Sequence, residues 1–241
     1  MADLKHALLE AGLNIPDERI ERLNIYHEML LEWNEKMDLT SVSKEDMAAR
    51  HFLDSLMPLM QGRLFPEGIK LIDVGTGAGF PGLPLAIARP DMQVTLLEAQ
   101  GKRCQFLSAV CQRLELANVE VINDRAEVFG RVDGRRESYD RAVARAVAPL
   151  NILCEYLLPF VKVGGMALCW KGPAVAEEQK DGAAAALKLG GQLDFLIEMA
   201  MPGKESGHVL AVIQKTEETI PQYPRKNGIP AKRPLKADKE S

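Results

Sequence analysis

Leu71-Ile72-Asp73-Val74-Gly75-Thr76-Gly77-Ala78-Gly79-Phe80-Pro81-Gly82 is the stretch whose reading decides the fold. An apolar strand ends at an acid, alternate glycines follow at 75, 77 and 79, and a helical pattern opens near Pro81. Such glycines let the chain turn sharply and let a ligand approach main-chain N–H groups at a helix N-terminus. A nucleotide-like cofactor is the natural occupant. Gly77-Ala78-Gly79-Phe80-Pro81-Gly82 also satisfies G-x-G-x-x-G, the dinucleotide fingerprint, so the loop alone leaves two cofactor classes open.

Outward from the loop, short apolar runs alternate with helical patterns. The strand candidates are Lys70 to Val74, Gln93 to Glu98, Val119 to Ile122, Tyr139 to Ala144, Met166 to Trp170, Asp194 to Met199 and His208 to Gln214. Helical patterns run from Pro81 to Ala88, Lys102 to Leu116, Leu150 to Val161 and Ala174 to Leu189. This alternation predicts an α/β fold with βαβ units and a mostly parallel sheet covered on both faces. Pro202 to Gly207 is too short for a crossover helix, so the last two strands are expected to form a hairpin with the last strand antiparallel.

Before this region, residues 1–65 read as a helical extension. Pro16, Asp17 and Glu18 suit a helix first turn, and Ile20, Leu23, Leu30, Trp33 and Met37 mark one apolar face. Ser43-Lys44-Glu45-Asp46 resembles a capping box. Residues 66–215 hold the alternating pattern. From 216 to 241 the composition shifts: Pro221, Pro224, Pro230 and Pro234 are interleaved with Arg225, Lys226, Lys232, Arg233 and Lys236, which predicts either an extended strap or a mobile basic tail.

The chain of 241 residues is 46% hydrophobic and 27% charged, ordinary values for a soluble globular protein. Glu155 interrupts the richest apolar segment, so no membrane span is expected. The N-terminus lacks a basic run leading into an apolar block and does not read as a secretion signal. A cytoplasmic location follows as the expectation. Cys104, Cys111, Cys154 and Cys169 show no C-x-x-C pairing and no nearby histidine set, so neither metal site nor disulfide framework is expected. A net charge of −4 excludes a uniformly basic nucleic-acid glove but leaves room for a local basic stripe.

Two details favour S-adenosyl-L-methionine over a dinucleotide. With Asp73 ahead of Gly75, the loop reads D-x-G-x-G-x-G and resembles motif I of class I methyltransferases. A carboxylate there suits a cationic methionyl ammonium and is unfavourable to a pyrophosphate. The second strand ends at Glu98, an acid placed for ribose hydroxyls in either cofactor. Beyond the third strand, Asn123-Asp124-Arg125-Ala126-Glu127 could read an adenine edge through its backbone, or form a helix cap with Asp124 at N-cap and Glu127 at N3.

Segments spread over almost the whole chain resemble the bacterial small-subunit ribosomal RNA methyltransferase G family, also called glucose-inhibited division protein B. They are Trp33-Asn34 to Thr40, Arg50 to Leu56, the glycine loop through Pro84, Leu97-Glu98 to Arg103, Arg125-Ala126-Glu127, Tyr139-Asp140 to Leu150, and Tyr223-Pro224-Arg225-Lys226. The resemblance implies a Rossmann-like class I methyltransferase fold and methylation of N7 of guanosine 527 in 16S rRNA. Carried over, the family's cofactor contacts fall on Gly75, Phe80, Ala126, Glu127 and Arg145, beside Asp73, Gly77 and Glu98 from the reading above. Relatives often have Ser after the ribose acid, whereas Ala99 stands here. For Arg145 the alternative is an ion pair with Asp140 or Glu155.

N7 already presents an unprotonated lone pair, so no catalytic acid or base is nominated. Exocyclic-amine methylation would call for Asn/Asp-Pro-Pro-aromatic after the fourth strand, and pyrimidine C5 methylation for Pro-Cys. The sequence there is Ala144-Arg145-Ala146-Val147-Ala148-Pro149. Contact with 16S rRNA or the small subunit is expected at Arg225, Lys226, Lys232, Arg233 and Lys171, assisted by Lys102, Arg103, Arg125 and Arg145. Trp170 could stack on an extruded base or belong to the core. His51, Asp54 and Ser55 share one helix face, either closing over the ligands or forming a packed polar cluster. A monomer is assumed, since bulky RNA must reach one open sheet edge. A nicotinamide-dependent oxidoreductase, an RNA-binding assembly factor and a small-molecule methyltransferase are the competing readings.

Overall fold

The computed structural model describes residues 2–44, 46–145, 148–172, 174–199 and 208–238. The chain starts with α1 (Ala2–Glu10) and α2 (Asp17–Asn34), followed by a π-helical turn (Ala48–Leu53) that runs into the short α3 (Asp54–Leu56). Then come β1 (Lys70–Val74), α4 (Gly82–Ala88), β2 (Gln93–Glu98), α5 (Gly101–Arg113), β3 (Val119–Asn123), α6 (Ala126–Phe129) and β4 (Tyr139–Arg145). The remainder is α7 (Leu150–Leu157), β5 (Val161–Lys171), α8 (Val175–Lys188), β6 (Gly191–Met199), β7 (His208–Lys215) and α9 (Ile229–Lys232).

The seven strands form one sheet in the order β3-β2-β1-β4-β5-β7-β6. Parallel pairing runs from β3 to β5, and β7 is antiparallel to both β5 and β6. The antiparallel last strand is as expected. Its place inside the sheet, with β6 at the edge, follows from burial. Val209 to Ile213 are buried on both faces, whereas β6 exposes Gln192, Asp194 and Glu198, side chains an edge tolerates. The connection at 202–207, on which the hairpin expectation rested, lies outside the described residues.

Period-two alternation splits the strands between two cores. Leu71, Val143, Leu168 and Leu210 face the helical extension, α4 and α5; Ile72, Ala142, Ala167 and Ala211 face α7 and α8. The apolar face of α2 is seated as the spacing predicts, with Ile20, Leu23, Tyr26 and Leu30 buried. Ser43 Oγ accepts from Asp46 N–H at 3.3 Å, while Glu45 lies outside the described residues. No helix among the described residues is long and apolar enough to cross a membrane.

The Pro-rich segment is a strap. Tyr223 and Thr219 are buried, and Arg136 and Arg131 donate to the carbonyls of Thr219, Tyr223, Gln222 and Pro224. Arg225 reaches Glu155, whose side chain is 1% exposed, through Nε and Nη2 as well as its backbone N–H. The strap thereby carries Gly228 and α9 to the C-terminal edge of the sheet.

Candidate functional site

At that edge, β1 gives way to a loop in which Gly75, Gly77 and Gly79 all adopt positive φ (69°, 63° and 103°), a conformation that strains any other residue. Asp73 organises the loop from below. Its Oδ2 accepts from the Thr76 hydroxyl at 2.6 Å and from Gly82 N–H at 2.8 Å, tying the end of the strand to the first turn of α4. Glu98 does the same from β2, taking Gly77 N–H on Oε2 and Gln100 N–H on Oε1, each at 2.9 Å.

The loop encloses one side of a cleft of about 590 Å³. Gly75, Gly77, Phe80, Glu98, Ala126, Glu127 and Arg145 all line it. Asp73 does not, which corrects its expected contact with the ligand. Its carboxylate is wholly buried, one oxygen holds the loop, and Oδ1 has no hydrogen-bond partner among the described residues. Burial pushes Asp73 up to about 6, against the lowering effect of its bonds to Thr76 and Gly82. The alternative capping role for Glu127 is also corrected. It accepts from Gly228 N–H of the strap at 2.8 Å, and among the described residues Asp124 bonds only its neighbour Arg125 N–H.

Arg145 leaves the end of β4 toward the helical extension. Asp140 pairs with Lys162 and Glu155 with Arg225, so neither partner suggested by the sequence is free for it. Instead Arg145 Nη1 lies 3.2 Å from Asp54 Oδ2, and Nη2 lies 3.0 Å from His51 Nδ1. Because the guanidinium can only donate, His51 Nδ1 accepts and its Nε2–H donates to Thr40 Oγ1 at 2.7 Å. Burial, reinforced by Arg145, pulls His51 down to about 4, so the ring is neutral at pH 7. Phe80 packs face to face with His51 (4.5 Å between ring centroids) and under the Arg145 guanidinium (4.9 Å). The His51, Asp54 and Ser55 face is thus a packed polar cluster at the rim of the cleft.

Several lining residues escaped the sequence reading: Leu39, Thr40, Tyr156, Gly228 and Ala231. Leu39 and Thr40 are presented by Asn34, whose side chain caps their N–H groups at 2.9 Å and donates to the Thr40 carbonyl. An Asn closing a helix shortly before a Thr was the available signal. Of the expected RNA contacts, Lys226, Lys232 and Arg233 are exposed. Arg225 is committed to Glu155, and Lys171 pairs with Glu178 at 2.8 Å and donates to the Ala148 carbonyl. Trp170 is 2% exposed and donates Nε1–H to the Asp54 carbonyl, which makes it a core residue.

The loop's own hydrogen bonds separate the two cofactor classes. The N–H groups of Gly75 and Thr76 go to the Leu97 carbonyl, those of Gly79 and Phe80 to the Thr76 carbonyl, and that of Gly77 to Glu98. A pyrophosphate needs such donors free and meets a carboxylate here instead. A nucleoside suits the same cleft. Glu98 keeps lone pairs for a diol, and Leu97, Ala99 and Tyr156 supply apolar walls.

A family model described as rRNA small subunit methyltransferase G matches residues 19–206. A protein of Alkaliphilus metalliredigens named ribosomal RNA small subunit methyltransferase G is 47% identical, with 97% of this chain and 98% of that protein covered. One of Bacillus cereus with the same name is 43% identical over 95% of each. Among solved structures, TYW2 of M. jannaschii in complex with AdoMet superposes with a TM-score of 0.50 at 17% identity, covering 67% of this chain and 76% of that one. An MtNAS variant in complex with S-adenosylmethionine gives 0.53 at 16%, covering 89% and 83%. These two likenesses speak for the fold, a class I methyltransferase sheet. The match over most of the chain and the identity over nearly its full length go further: the chain belongs to the rRNA small subunit methyltransferase G family.

Proposed function

We propose that this chain is an rRNA (guanine-N7)-methyltransferase that uses S-adenosyl-L-methionine to methylate guanosine 527 of 16S rRNA. The observation that carries the reading is the Gly77 to Glu98 bond, which puts a carboxylate where a dinucleotide site would leave N–H groups open. When bound, S-adenosylmethionine supplies a methyl group on a sulfonium that a lone pair can displace. Glu98 would hold the ribose hydroxyls, Ala126 the adenine edge, and Gly75, Phe80 and Arg145 the methionyl end of the cleft.

The lining carboxylates are engaged as anchors. Glu98 and Glu127 each accept backbone N–H groups, and Asp124 accepts its neighbour's. This fits attack by N7, whose lone pair needs no prior deprotonation. The chain's contribution is alignment and a polar surround for charge passing from sulfur to purine. RNA is held by Lys226, Lys232 and Arg233 on the strap, with Lys102, Arg103 and Arg125 beside the cleft. The enzyme acts as a cytoplasmic monomer.

Two measurements test this. Calorimetry should show S-adenosylhomocysteine binding and no NADH binding. Mapping of 7-methylguanosine should find the modification in 16S rRNA only where the protein is present. NADH binding without a response to S-adenosylhomocysteine would remove the reading.

A further inference from the structure

Beside the cofactor cleft lies a second cavity of about 260 Å³, lined by Val42, Arg50, Asp54, Arg145, Trp170 and His208 among others. Arg145 lines both spaces. At this size the second one is small against the roughly 300–1,000 Å³ of pockets that take whole drug-sized ligands, which suits a single base. Its walls combine the apolar Val42 and the edge of Trp170 with a polar end. That end is built on Asp54, 1% exposed at the side chain, whose Oδ2 receives Arg145 and whose Oδ1 receives His208 Nδ1.

The Asp54 to His208 contact fixes what His208 can offer. A carboxylate only accepts, so Nδ1 carries a proton, and the tautomer that keeps this contact with one ring proton turns the lone pair of Nε2 outward. His208 is 38% exposed at the side chain, and no protein group bonds its Nε2 among the described residues. At the rim, Arg50 is exposed and its guanidinium makes no ion pair among the described residues.

Resting on the N7-methyltransferase reading above, we infer that this cavity is the pocket for the extruded target guanine, with His208 Nε2 accepting from its N1–H and 2-amino edge and Arg50 holding its phosphate. In guanine, O6 stands between N1 and N7. A base gripped at its N1 side therefore presents N7 away from His208, toward the wall shared with the cofactor cleft. Extrusion is the usual way an enzyme reaches a base atom for chemistry. Adenine, which carries a lone pair at N1, would set acceptor against acceptor. As positive charge enters the purine during transfer, its N1–H and amino donors strengthen, so this contact tightens in the transition state.

The test uses the full chain and small subunits reconstituted from ligated 16S rRNA carrying guanosine or inosine at the target. Inosine lacks the 2-amino group and keeps N7 and O6. The wild-type protein should prefer guanosine by roughly tenfold or more in kcat/KM. His208→Leu should lose that preference and fall about 50-fold on guanosine, with affinity for S-adenosylhomocysteine unchanged within about twofold. His208→Gln, which restores an acceptor near Nε2, should recover most of both. The inference is overturned if His208→Leu still discriminates, or if S-adenosylhomocysteine affinity falls in step with rate, the mark of a structural role. A wild-type protein that leaves the guanosine subunits unmethylated sinks the N7-methyltransferase reading itself.

Discussion

Arg145 and Asp54 join the two parts of the molecule: a guanidinium from the end of β4 meets a carboxylate of the helical extension at 3.2 Å, on side chains 14% and 1% exposed. The pair fixes the helical extension against the sheet edge where both cavities open. Since Asp54 also holds His208, and Arg145 also holds His51 and covers Phe80, one ion pair sets the positions of the surrounding polar groups.

Removing both partners should cost less than the sum of the two single losses. Arg145→Ala leaves a buried carboxylate with His208 alone, and a cost of about 3 kcal/mol or more is expected. Asp54→Ala strands the guanidinium and should cost a similar amount. The double variant should recover part of the loss, giving a coupling of about 1–3 kcal/mol in a double-mutant cycle. Urea denaturation of the four proteins measures it; strictly additive losses would show that the pair is energetically idle.

The loop glycines should separate by what a side chain would meet. A Cβ at Gly82 would lie 2.5 Å from Leu96 and 2.7 Å from Asp73 Oδ2, and one at Gly79 would lie 2.5 Å from Leu83. At Gly77 the nearest atom is Arg103 Nη1 at 4.0 Å. Gly82→Ala and Gly79→Ala should therefore destabilise by about 2 kcal/mol or more through overpacking. Gly77→Ala should cost only the positive-φ strain, about 1 kcal/mol. Its main effect should be on ligand affinity, because its methyl points into the cleft. Thermal unfolding and S-adenosylhomocysteine titration of the three variants check the order.

Why some of this was legible in the sequence and some not has a physical basis. β1, β2 and α4 are readable because local pattern and burial agree there: both faces of Leu71 to Val74 are covered, so the run is apolar apart from Asp73. The position of β7 inside the sheet was not, since strand order depends on contacts distant in sequence. Asp73 reads as a ligand contact because sequence shows a carboxylate beside the loop and not which way it faces. Arg145 was located correctly at the sheet edge, but its partner lies 91 residues away on another element. No local pattern predicts that. Sequence leaves the strap between two conformations because the deciding contact, Arg225 with Glu155, joins residues 70 positions apart.

Asp73 and His51 should give stability opposite pH dependences that nearly cancel. Asp73 rises from an ordinary 3.8 to about 6, so between pH 4 and 6 the folded state holds a proton that the unfolded state has lost, and stability falls as pH rises. His51 falls from 6.5 to about 4, so over nearly the same interval the unfolded state holds the extra proton, and stability rises with pH. Each effect amounts to about 3 kcal/mol. Relative to Asp73→Asn, the wild type should lose about that much from pH 4 to 6; relative to His51→Gln, it should gain about that much from pH 4 to 6.5. Denaturation curves that keep a constant offset from wild type across this range would contradict both assignments.

The strap's cations should divide into one that holds the fold and others that hold RNA. Arg225 bonds a buried Glu155, and its loss leaves that carboxylate uncompensated, so Arg225→Ala should cost about 3 kcal/mol or more. Because the strap carries Gly228 and Ala231 to the cleft, S-adenosylhomocysteine binding should weaken with it, and proteases should cut the strap faster. Lys226, Lys232 and Arg233 stand exposed without ion-pair partners among the described residues, so changing each to Ala should leave stability within about 0.5 kcal/mol. Their signature is salt dependence. Taking away one cation that neutralises a phosphate should lower the slope of log affinity for 16S rRNA against log salt by roughly 0.7–0.9. Arg225→Lys separates the two roles, since it keeps the charge but gives up the two-point grip on Glu155. It should unfold more easily, with a salt slope close to that of the wild type. A slope that drops in Arg225→Ala and not in Lys232→Ala would reverse the assignment.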